Sequence, residues 1–226
     1  MVVNLCDYAI VMLGPPGSGK GTQVSYLVDL GFHVVSVGDI LRSNGDTVIP
    51  GLNATVMDAM SSGMLLPDDF ICDVVKSDML NKLSSGDKHI FIFDGFPRTV
   101  VQAEYLNAVL KELSIPIKYA FNFDVSDDIV FRRITGRFSC ASCGRIYNKF
   151  LCNTKIENVC DSCGASEFIF RSDDNEESLK TRLSQYYEKS KPLVSFYQEM
   201  GLLFNINASL SSDDVRREIF SKIGIS

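Results

Sequence analysis

A glycine-rich loop between an apolar run and a helical pattern constrains this chain most. Tyr8–Leu13 is a continuous apolar run, and the segment GPPGSGKGT, Gly14–Thr22, follows it directly. In this context backbone N–H groups curl around phosphate oxygens, and the N-terminus of the following helix adds partial positive charge. Lys20 supplies a mobile positive charge for the outer phosphates. The loop therefore predicts a phosphate site; the alternative is a flexible glycine turn.

The residue after the lysine distinguishes this loop from the commonest form of the motif. Gly21 stands between Lys20 and Thr22, whereas the general pattern has Ser or Thr there to bind magnesium. This difference disfavours a plain ATPase or GTPase. Asp94 follows the apolar run His89–Phe93, and ligands bind at the carboxyl ends of parallel strands. We expect Asp94 to hold Mg²⁺, directly or through water; the alternative is a plain turn residue.

Five apolar runs are spaced along the chain, with helical patterns between them. The runs are continuous rather than alternating, which is typical of strands buried on both faces of a parallel sheet. The alternation of strands and helices predicts an α/β fold with a doubly wound, five-stranded parallel sheet. The predicted strands are Tyr8–Leu13, His33–Val37, His89–Phe93, Ile117–Val125 and Leu202–Ile206. The predicted helices are Gly21–Leu30, Asp69–Leu83, Val101–Leu113 and Asp173–Met200.

Two segments interrupt this rhythm. Residues 38–66 hold helical patterns without a strand, while residues 137–172 lose the helical period and gain cysteines and glycines. We interpret both as flaps inserted into a core formed by residues 1–37, 67–136 and 173–226.

Composition limits the classes of partner. The formal net charge is −6 and no run of five or more Lys and Arg residues occurs, so a broad nucleic-acid surface is not expected. A small anionic ligand is compatible, because a few focused cations suffice. No apolar stretch approaches the roughly 18 residues of a membrane span and no signal peptide is visible. We expect a cytoplasmic monomer that binds no membrane.

Four of the seven cysteines form two pairs. Cys140 and Cys143 make one CxxC, Cys160 and Cys163 make the other, and sixteen residues separate the pairs. This spacing predicts a tetrahedral four-thiolate zinc site, which leaves no open position and is therefore structural. Two disulfides or four free thiols are the alternatives, and iron or cobalt would fit the same ligands. The other cysteines, Cys6, Cys72 and Cys152, are predicted to be packing residues.

Several separated motifs resemble one family. The segment DGFPRT, Asp94–Thr99, followed by Gln102, is similar to the monophosphate-binding signature of adenylate kinases. The loop with its Gly21 and the segment SVGDILR, Ser36–Arg42, resemble the same family. The pattern of basic and acidic residues around the second flap resembles it too, in Arg133, Arg137, Arg171, Asp173, Asp174 and Arg182. The resemblance covers nearly the whole chain, in its long-lid form with a cysteine-bearing lid.

The resemblance implies a reversible, direct, in-line phosphoryl transfer from ATP to AMP, giving two ADP, with Mg²⁺, in nucleotide homeostasis. The first flap, 38–66, is then the AMP-binding flap and the second, 137–172, a zinc-bearing lid. The implied catalytic residues are Lys20, Arg98, Arg133, Arg171 and Arg182. The implied ATP-binding positions are Gly17, Ser18, Gly19, Lys20, Gly21, Thr22, Arg133, Arg137, Ile146, Tyr147 and the backbone near Asn205. The implied AMP-binding positions are Val37, Arg42, Met64, Leu65, Leu66, Gly95, Phe96, Pro97, Arg98, Gln102, Arg171 and Arg182.

The chemistry of such a transfer suits this composition. A phosphate acceptor is already anionic, so the reaction needs positioning and charge neutralisation and no general base. The chain has only two histidines, His33 and His89, and both are predicted to be structural.

Two other functions stay open at this point. Val37 replaces the threonine usual in the family beside the monophosphate base, which slightly favours a UMP/CMP kinase, although the long lid disfavours it. A zinc-ribbon nucleic-acid module on a phosphate-loop core is the alternative from another class. Basic and aromatic residues around the cysteines favour the nucleic-acid module, and the net negative charge of the chain opposes it.

Overall fold

The computed structural model describes residues 7–49, 54–83 and 90–225. Its central sheet is parallel throughout. With strands numbered along the chain and bounded as given at the end of this paragraph, their spatial order is β2-β3-β1-β4-β8. The predicted α/β fold with a five-stranded parallel sheet is confirmed. His89, predicted to open the third strand, lies outside the described residues. The strands of this sheet are β1 (Tyr8–Leu13), β2 (His33–Ser36), β3 (Ile90–Asp94), β4 (Ile117–Asp124) and β8 (Leu203–Asn207).

Helices cover both faces of this sheet. Two of them, α2 and α3, belong to the first flap, and the others connect or follow the strands of the sheet. None of the helices in the described ranges is long and apolar enough to span a membrane. The helices are α1 (Lys20–Val28), α2 (Val37–Ser43), α3 (Val56–Ser62), α4 (Asp68–Leu83), α5 (Val100–Glu112), α6 (Asp127–Thr135), α7 (Glu176–Gln185), α8 (Pro192–Glu199) and α9 (Ser212–Ile223).

The long helix predicted for Asp173–Met200 is three pieces. Asn175 caps the N-terminus of α7 by accepting a hydrogen bond from the backbone of Ser178, so the helix begins later than expected. A π-helical segment, Tyr186–Ser190, then separates α7 from α8. Pro192 opens α8, and because proline has no N–H and clashes with the preceding turn, a regular α-helix cannot run through it.

The sheet is buried on both faces, which explains its continuous apolar strands. On β1, Ala9 and Val11 pack into one cluster with α4, α5 and α8, while Ile10 and Met12 pack into the other with α1 and α9. All four side chains are at most 2% exposed. Burial of this kind supplies most of the free energy that fixes the sheet.

Within the described residues, neither predicted flap contributes a strand to the parallel sheet. The first holds α2 and α3, and Thr55 and Asp58 form a capping box at the start of α3. The second forms a small antiparallel sheet in the order β6-β5-β7. Their limits as separate domains stay a prediction. The strands of the small sheet are β5 (Arg137–Cys140), β6 (Ile146–Asn148) and β7 (Phe168–Ile169).

The packing of α1 gives a stability test. Leu27 is fully buried against the sheet, whereas Leu30, just beyond the helix, is 48% exposed. We expect Leu27→Ala to lower the free energy of unfolding by about 2–5 kcal/mol through lost burial and a residual cavity. The matched change Leu30→Ala should stay within about 0.5 kcal/mol. Urea unfolding measures both, and equal losses would contradict this placement of α1.

Candidate active site

The glycine-rich loop is wedged between β4 and α6. Gly14 has φ 138°, and a Cβ there would lie 2.9 Å from the carbonyl oxygen of Phe123. Gly17 has φ 73°, and a Cβ there would lie 2.7 Å from the side chain of Ile134. Neither space nor backbone conformation admits another residue at these two positions. The loop is thereby shaped as a cradle at the carboxyl end of β1.

Lys20 points its ammonium group into this cradle. Its Nζ donates to the carbonyl oxygens of Gly14 and Pro15, at 2.7 and 2.8 Å, and to Ser18 Oγ at 3.2 Å. Burial lowers the pKa of Lys20 to about 8, and the nearby Asp94 opposes that shift. The loop's own oxygens therefore hold the charge where phosphate oxygens are expected to sit.

Asp94 ends β3 beside this lysine. Burial raises the pKa of Asp94, while the positive charge of Lys20 works against the rise. A Cβ built on Gly21 would lie 3.7 Å from Asp94 Oδ2, so the glycine after the lysine faces this carboxylate. A desolvated carboxylate oxygen next to a phosphate cradle suits a hard divalent cation, which would compensate its charge.

Guanidinium groups from four separate segments converge on the same cleft. Desolvation lowers the pKa of Arg98 to about 10, and the positive charge of Arg182 adds to the shift. Desolvation also lowers the pKa of Arg171 to about 10. The positive charges of Arg137 and, to a smaller extent, Arg42 lower it further. The pKa of Arg182 is lowered by desolvation as well. Such mutual repulsion means that the cleft concentrates positive charge suited to a polyanion.

Carboxylates partly balance this charge. Arg137 forms a bidentate pair with Asp174, at 2.6 and 2.5 Å, and Arg182 pairs with Asp173 at 2.9 Å. At the start of the first flap, Arg42 pairs with Asp39 at 2.5 Å. Asp39 had not been recognised as a partner, although it lies three residues before Arg42 in the helical segment.

Gln102 is fully engaged by the protein. Its Oε1 accepts from the backbone N–H of Arg98 at 2.7 Å, and its Nε2 donates to Asp68 Oδ1 at 2.7 Å. The side chain is only 2% exposed. Asp68 was missed by sequence reasoning, and no local signal marks it, because 34 residues separate it from Gln102.

On the side expected for ATP, Arg133 and Asn205 have different surroundings. Arg133 bridges the phosphate loop and the end of β8, donating to the carbonyl oxygens of Ser18 at 3.1 Å and Ala208 at 2.8 Å. Asn205, by contrast, lies within the β4–β8 ladder opposite Asn122, and their side chains are hydrogen-bonded at 2.8 Å. The adenine border near Asn205 stays a prediction, and Ala208, just beyond β8, is the nearby residue that contacts Arg133.

Tyr147 is predicted to touch ATP from the lid side. Its side chain is 1% exposed inside the lid, where the hydroxyl lies 3.3 Å from Cys160 Sγ and accepts from the backbone N–H of Asp161 at 2.8 Å. Only its backbone is left to contact a nucleotide. The preceding Ile146 is partly exposed.

The residues expected around AMP are brought together only in part. Val37, Leu66 and Phe96 are buried in one cluster of the core, whereas Met64 is 53% exposed and Leu65 is half-buried. Gly95 has φ 75°, and the Phe96–Pro97 peptide bond is cis. Since Val37 begins α2 rather than ending β2, its side chain faces the core beside the first flap.

The four paired cysteines meet in the lid. Their Sγ atoms all lie within 4.8 Å of one another. The closest pairs, Cys140 with Cys163 and Cys143 with Cys160, are each 3.6 Å apart. A disulfide would need about 2.05 Å, so these are free thiols. The separations suit four thiolates around one ion, because a Zn–S distance of about 2.3 Å gives tetrahedral S···S distances of about 3.8 Å.

The residues assigned structural roles have mixed outcomes. Cys72 is buried in the core, as predicted, but Cys152 is exposed and its predicted role in packing is wrong. The ring of His33 packs at a tilt against that of Phe91, with centroids 5.7 Å apart, in agreement with a structural role. His89 and Cys6 lie outside the described residues.

The lowered pKa of Lys20 gives a test. Between about pH 8 and its ordinary pKa of 10.5, the unfolded chain binds more protons than the folded one, so wild-type stability should rise with pH relative to Lys20→Met. We expect the difference in unfolding free energy, wild type minus variant, to increase from about pH 7 to about pH 10. Urea unfolding at both pH values measures it. Lys76→Met, at an exposed position of α4, is the control, and a flat or falling difference for Lys20→Met would contradict the prediction.

Comparison with known proteins fits this geometry. Residues 12–202 match the sequence model of the family described as adenylate kinase. The adenylate kinase of Thermodesulfovibrio yellowstonii is 40% identical over 212 residues, which is 93% of this chain and 96% of the relative. That of Paracoccus denitrificans is 39% identical over 93% of this chain and 94% of the relative. That of Thermosipho melanesiensis is 39% identical over 95% and 98%. With a phosphate cradle, converging arginines and this similarity along nearly its whole length, the chain belongs to the adenylate kinase family of phosphotransferases.

Proposed function

We propose that this protein transfers a phosphoryl group reversibly between ATP and AMP, forming two ADP, by direct in-line displacement. The observation that carries the proposal is the concentration of positive charge around the phosphate cradle. The lowered pKa values of Arg98 and Arg171 mark a cleft in which bound phosphates would relieve repulsion. A transferring phosphoryl group spreads charge over its equatorial oxygens, and fixed guanidinium groups stabilise that charge.

The donor side is assigned to the phosphate loop and the lid. The loop from Gly17 to Thr22 presents backbone N–H groups to the ATP phosphates, with Lys20 among the outer ones. Arg133 and Arg137 approach from the lid side, and the backbone of Ile146 and Tyr147 lines the entrance. The backbone near Asn205, including Ala208 just beyond β8, borders the adenine.

The acceptor side is assigned to the first flap and to the segment after β3. Arg42 and Arg98 hold the AMP phosphate, and Arg171 and Arg182 reach the group in transfer. The acceptor oxygen is already anionic, so no general base is required. Gln102 acts on this side by supporting Arg98, and the backbone of Met64, Leu65 and Leu66 lines the base beside Val37. Gly95, Phe96 and Pro97 complete the proposed AMP-binding positions.

Magnesium fits the site through Asp94. The carboxylate is buried beside the cradle and needs a counter-charge, as its raised pKa indicates. When bound there through water, Mg²⁺ would supply charge neutralisation on the ATP phosphates. Asp94 then orients the hydrated ion, while Lys20 stays on the phosphates.

The two flaps are assigned to excluding water. Segments 38–66 and 137–172 are proposed as mobile units over AMP and ATP, because an open site would let water compete with the acceptor phosphate. Gly63, at the end of α3, already touches α7: a Cβ there would lie 2.8 Å from the carbonyl oxygen of Ser178. This contact supports a closing direction in which the first flap meets the helix that carries Arg182.

Base preference is the first test. We expect ATP with AMP to give two ADP, and AMP to be used faster than UMP or CMP. Val37 lacks the hydroxyl of a threonine, and one hydrogen bond in a polar site changes preference by about 1–2 kcal/mol. Val37→Thr should therefore raise kcat/KM for AMP by about 30-fold at most, with KM for ATP unchanged. A coupled assay with a panel of monophosphates measures this.

The outcomes of this assay separate two questions. Failure of the wild type to phosphorylate any monophosphate would overturn the proposed reaction. Faster use of UMP or CMP than of AMP would favour the pyrimidine kinase alternative and overturn the AMP assignment alone. Val34→Thr, on the neighbouring strand β2, controls for the added hydroxyl.

The lid thiolates are proposed to hold one structural zinc ion. The cluster has four soft ligands at tetrahedral separations and no open position. The buried cluster of the lid is small, formed by Cys140, Tyr147 and Cys160, so a metal would supply stability that its own core cannot.

Matched serine variants test this site. Cys143 and Cys152 are both exposed, and only Cys143 belongs to the four-sulfur cluster. We expect purified wild type to contain one zinc per chain, Cys143→Ser to lose it with a lowered Tm, and Cys152→Ser to keep both. Atomic absorption and thermal unfolding measure the two properties. Wild type without metal, or equal loss in both variants, would contradict the assignment.

A further inference from the structure

The main chain of Arg98 is held from both sides by side chains of other segments. Arg98 lies in the connection between β3 and α5. Its N–H donates to Gln102 Oε1 at 2.7 Å, and its carbonyl oxygen accepts from Ser190 Oγ at 2.9 Å. Its own Nε donates to the carbonyl oxygen of Gly95 at 3.0 Å. Because the side chain is tied to its own loop, the guanidinium group must follow any shift of the backbone.

A carboxylate fixes the support on the amide side. Asp68, the first residue of α4, accepts from Gln102 Nε2 at 2.7 Å and from Thr99 Oγ1 at 3.1 Å. A carboxylate only accepts and a backbone N–H only donates. The amide of Gln102 is therefore held in one orientation, with its oxygen toward Arg98 and its nitrogen toward Asp68.

The support on the carbonyl side comes from the π-helical segment. Ser190 is its last residue, and the i to i−5 bond from the N–H of Lys191 to the carbonyl of Tyr186 measures 2.8 Å. Inserted π turns of this kind occur frequently at functional sites. The same segment continues from α7, which carries Arg182. One helical unit thus carries one cleft arginine and holds the backbone of another.

The π-helical segment also reaches a third arginine-bearing element. Tyr187 donates its hydroxyl hydrogen to Asp127 Oδ1 at 2.7 Å. Asp127 lies in the first turn of α6, the helix that carries Arg133. The segment therefore links α7, α6 and the loop of Arg98.

We propose that Ser190 and Asp68 are positioning residues for Arg98, acting through its main chain from opposite sides. The inference rests on the proposed function, in which Arg98 holds the AMP phosphate. Displacing a group that orients a reactant by about 1 Å costs up to about a hundredfold in rate. Ser190 bonds the carbonyl oxygen of Arg98, and Asp68 acts on its N–H through Gln102. Their effect is therefore expected on the acceptor substrate.

The serine is tested with three variants. Ser190→Ala removes the hydroxyl, Ser190→Thr keeps one, and Ser195→Ala removes an exposed serine from the neighbouring α8. We expect Ser190→Ala to lower kcat/KM for AMP by about two- to tenfold, the value of one hydrogen bond. KM for ATP should be unchanged, Ser190→Thr should recover most of the loss, and Ser195→Ala should match wild type. Steady-state kinetics with each substrate varied in turn, together with Tm, measures this.

The acid is tested in parallel. Asp68→Ala removes both acceptors, and Asp69→Ala removes the adjacent acid, whose carboxylate accepts from the N–H of Phe70. We expect the AMP-selective loss for Asp68→Ala alone. In the double variant Ser190→Ala/Asp68→Ala, the loss in kcat/KM for AMP, expressed as a free energy, should differ from the sum of the two single losses. Both side chains act on one residue, Arg98.

The outcomes are separable from those of the proposed function. If wild type forms no ADP from ATP and AMP, the proposed function fails. If wild type is active and Ser190→Ala and Asp68→Ala change both substrates' parameters equally, or change Tm without an AMP-selective loss, the positioning roles fail. Recovery by Ser190→Thr would then be absent as well.

Discussion

Positive charge held in a desolvated cleft is the constraint on which the rest of this structure depends. Burial is the largest cause of the lowered pKa values of Lys20, at about 8, and of Arg98 and Arg171. Groups that repel one another must be held by a scaffold that cannot relax away from them. The doubly buried parallel sheet supplies that scaffold, because strands with fully packed faces resist displacement. The free energy gained by packing the core thus offsets the repulsion among the charges at the carboxyl ends of the strands. Strain of this kind is expected at a site that binds polyanions.

The carboxylates in the cleft divide into two kinds by exposure. The pair between Arg42 and Asp39 is open, with the Asp39 side chain 67% exposed, and exposed pairs contribute about 0–1 kcal/mol. A phosphate can therefore take the place of Asp39 at little cost. The bidentate pair of Arg137 with Asp174 is different, since the Asp174 side chain is 5% exposed, and breaking it would leave a buried charge unpaired. Arg42 is consequently the exchangeable arginine, and Arg137 keeps its partner unless the lid moves.

The parts of the fold that depend on neighbouring residues in the sequence, such as the phosphate loop, were predicted from local patterns. The phosphate loop follows a fully apolar strand, and the strand, the glycines and Lys20 lie where the pattern places them. The contacts that sequence reasoning missed join distant residues. The side chain of Tyr147, for example, is committed to Cys160 within the lid. The contact between Ser190 and Arg98 spans 92 residues, and no periodicity or motif encodes it.

The lid, which carries one of the cleft arginines, is a segment too small to fold by burial of apolar side chains alone. Its buried cluster contains Cys140, Tyr147 and Cys160, with Phe138 and Phe168 packed against it. The rings of Phe138 and Tyr147 stack with centroids 5.5 Å apart. Aromatic packing and the cysteine cluster therefore share Tyr147, whose hydroxyl lies 3.3 Å from a sulfur. Because Arg137 opens β5, the packing of this small sheet also holds the backbone that carries its charge.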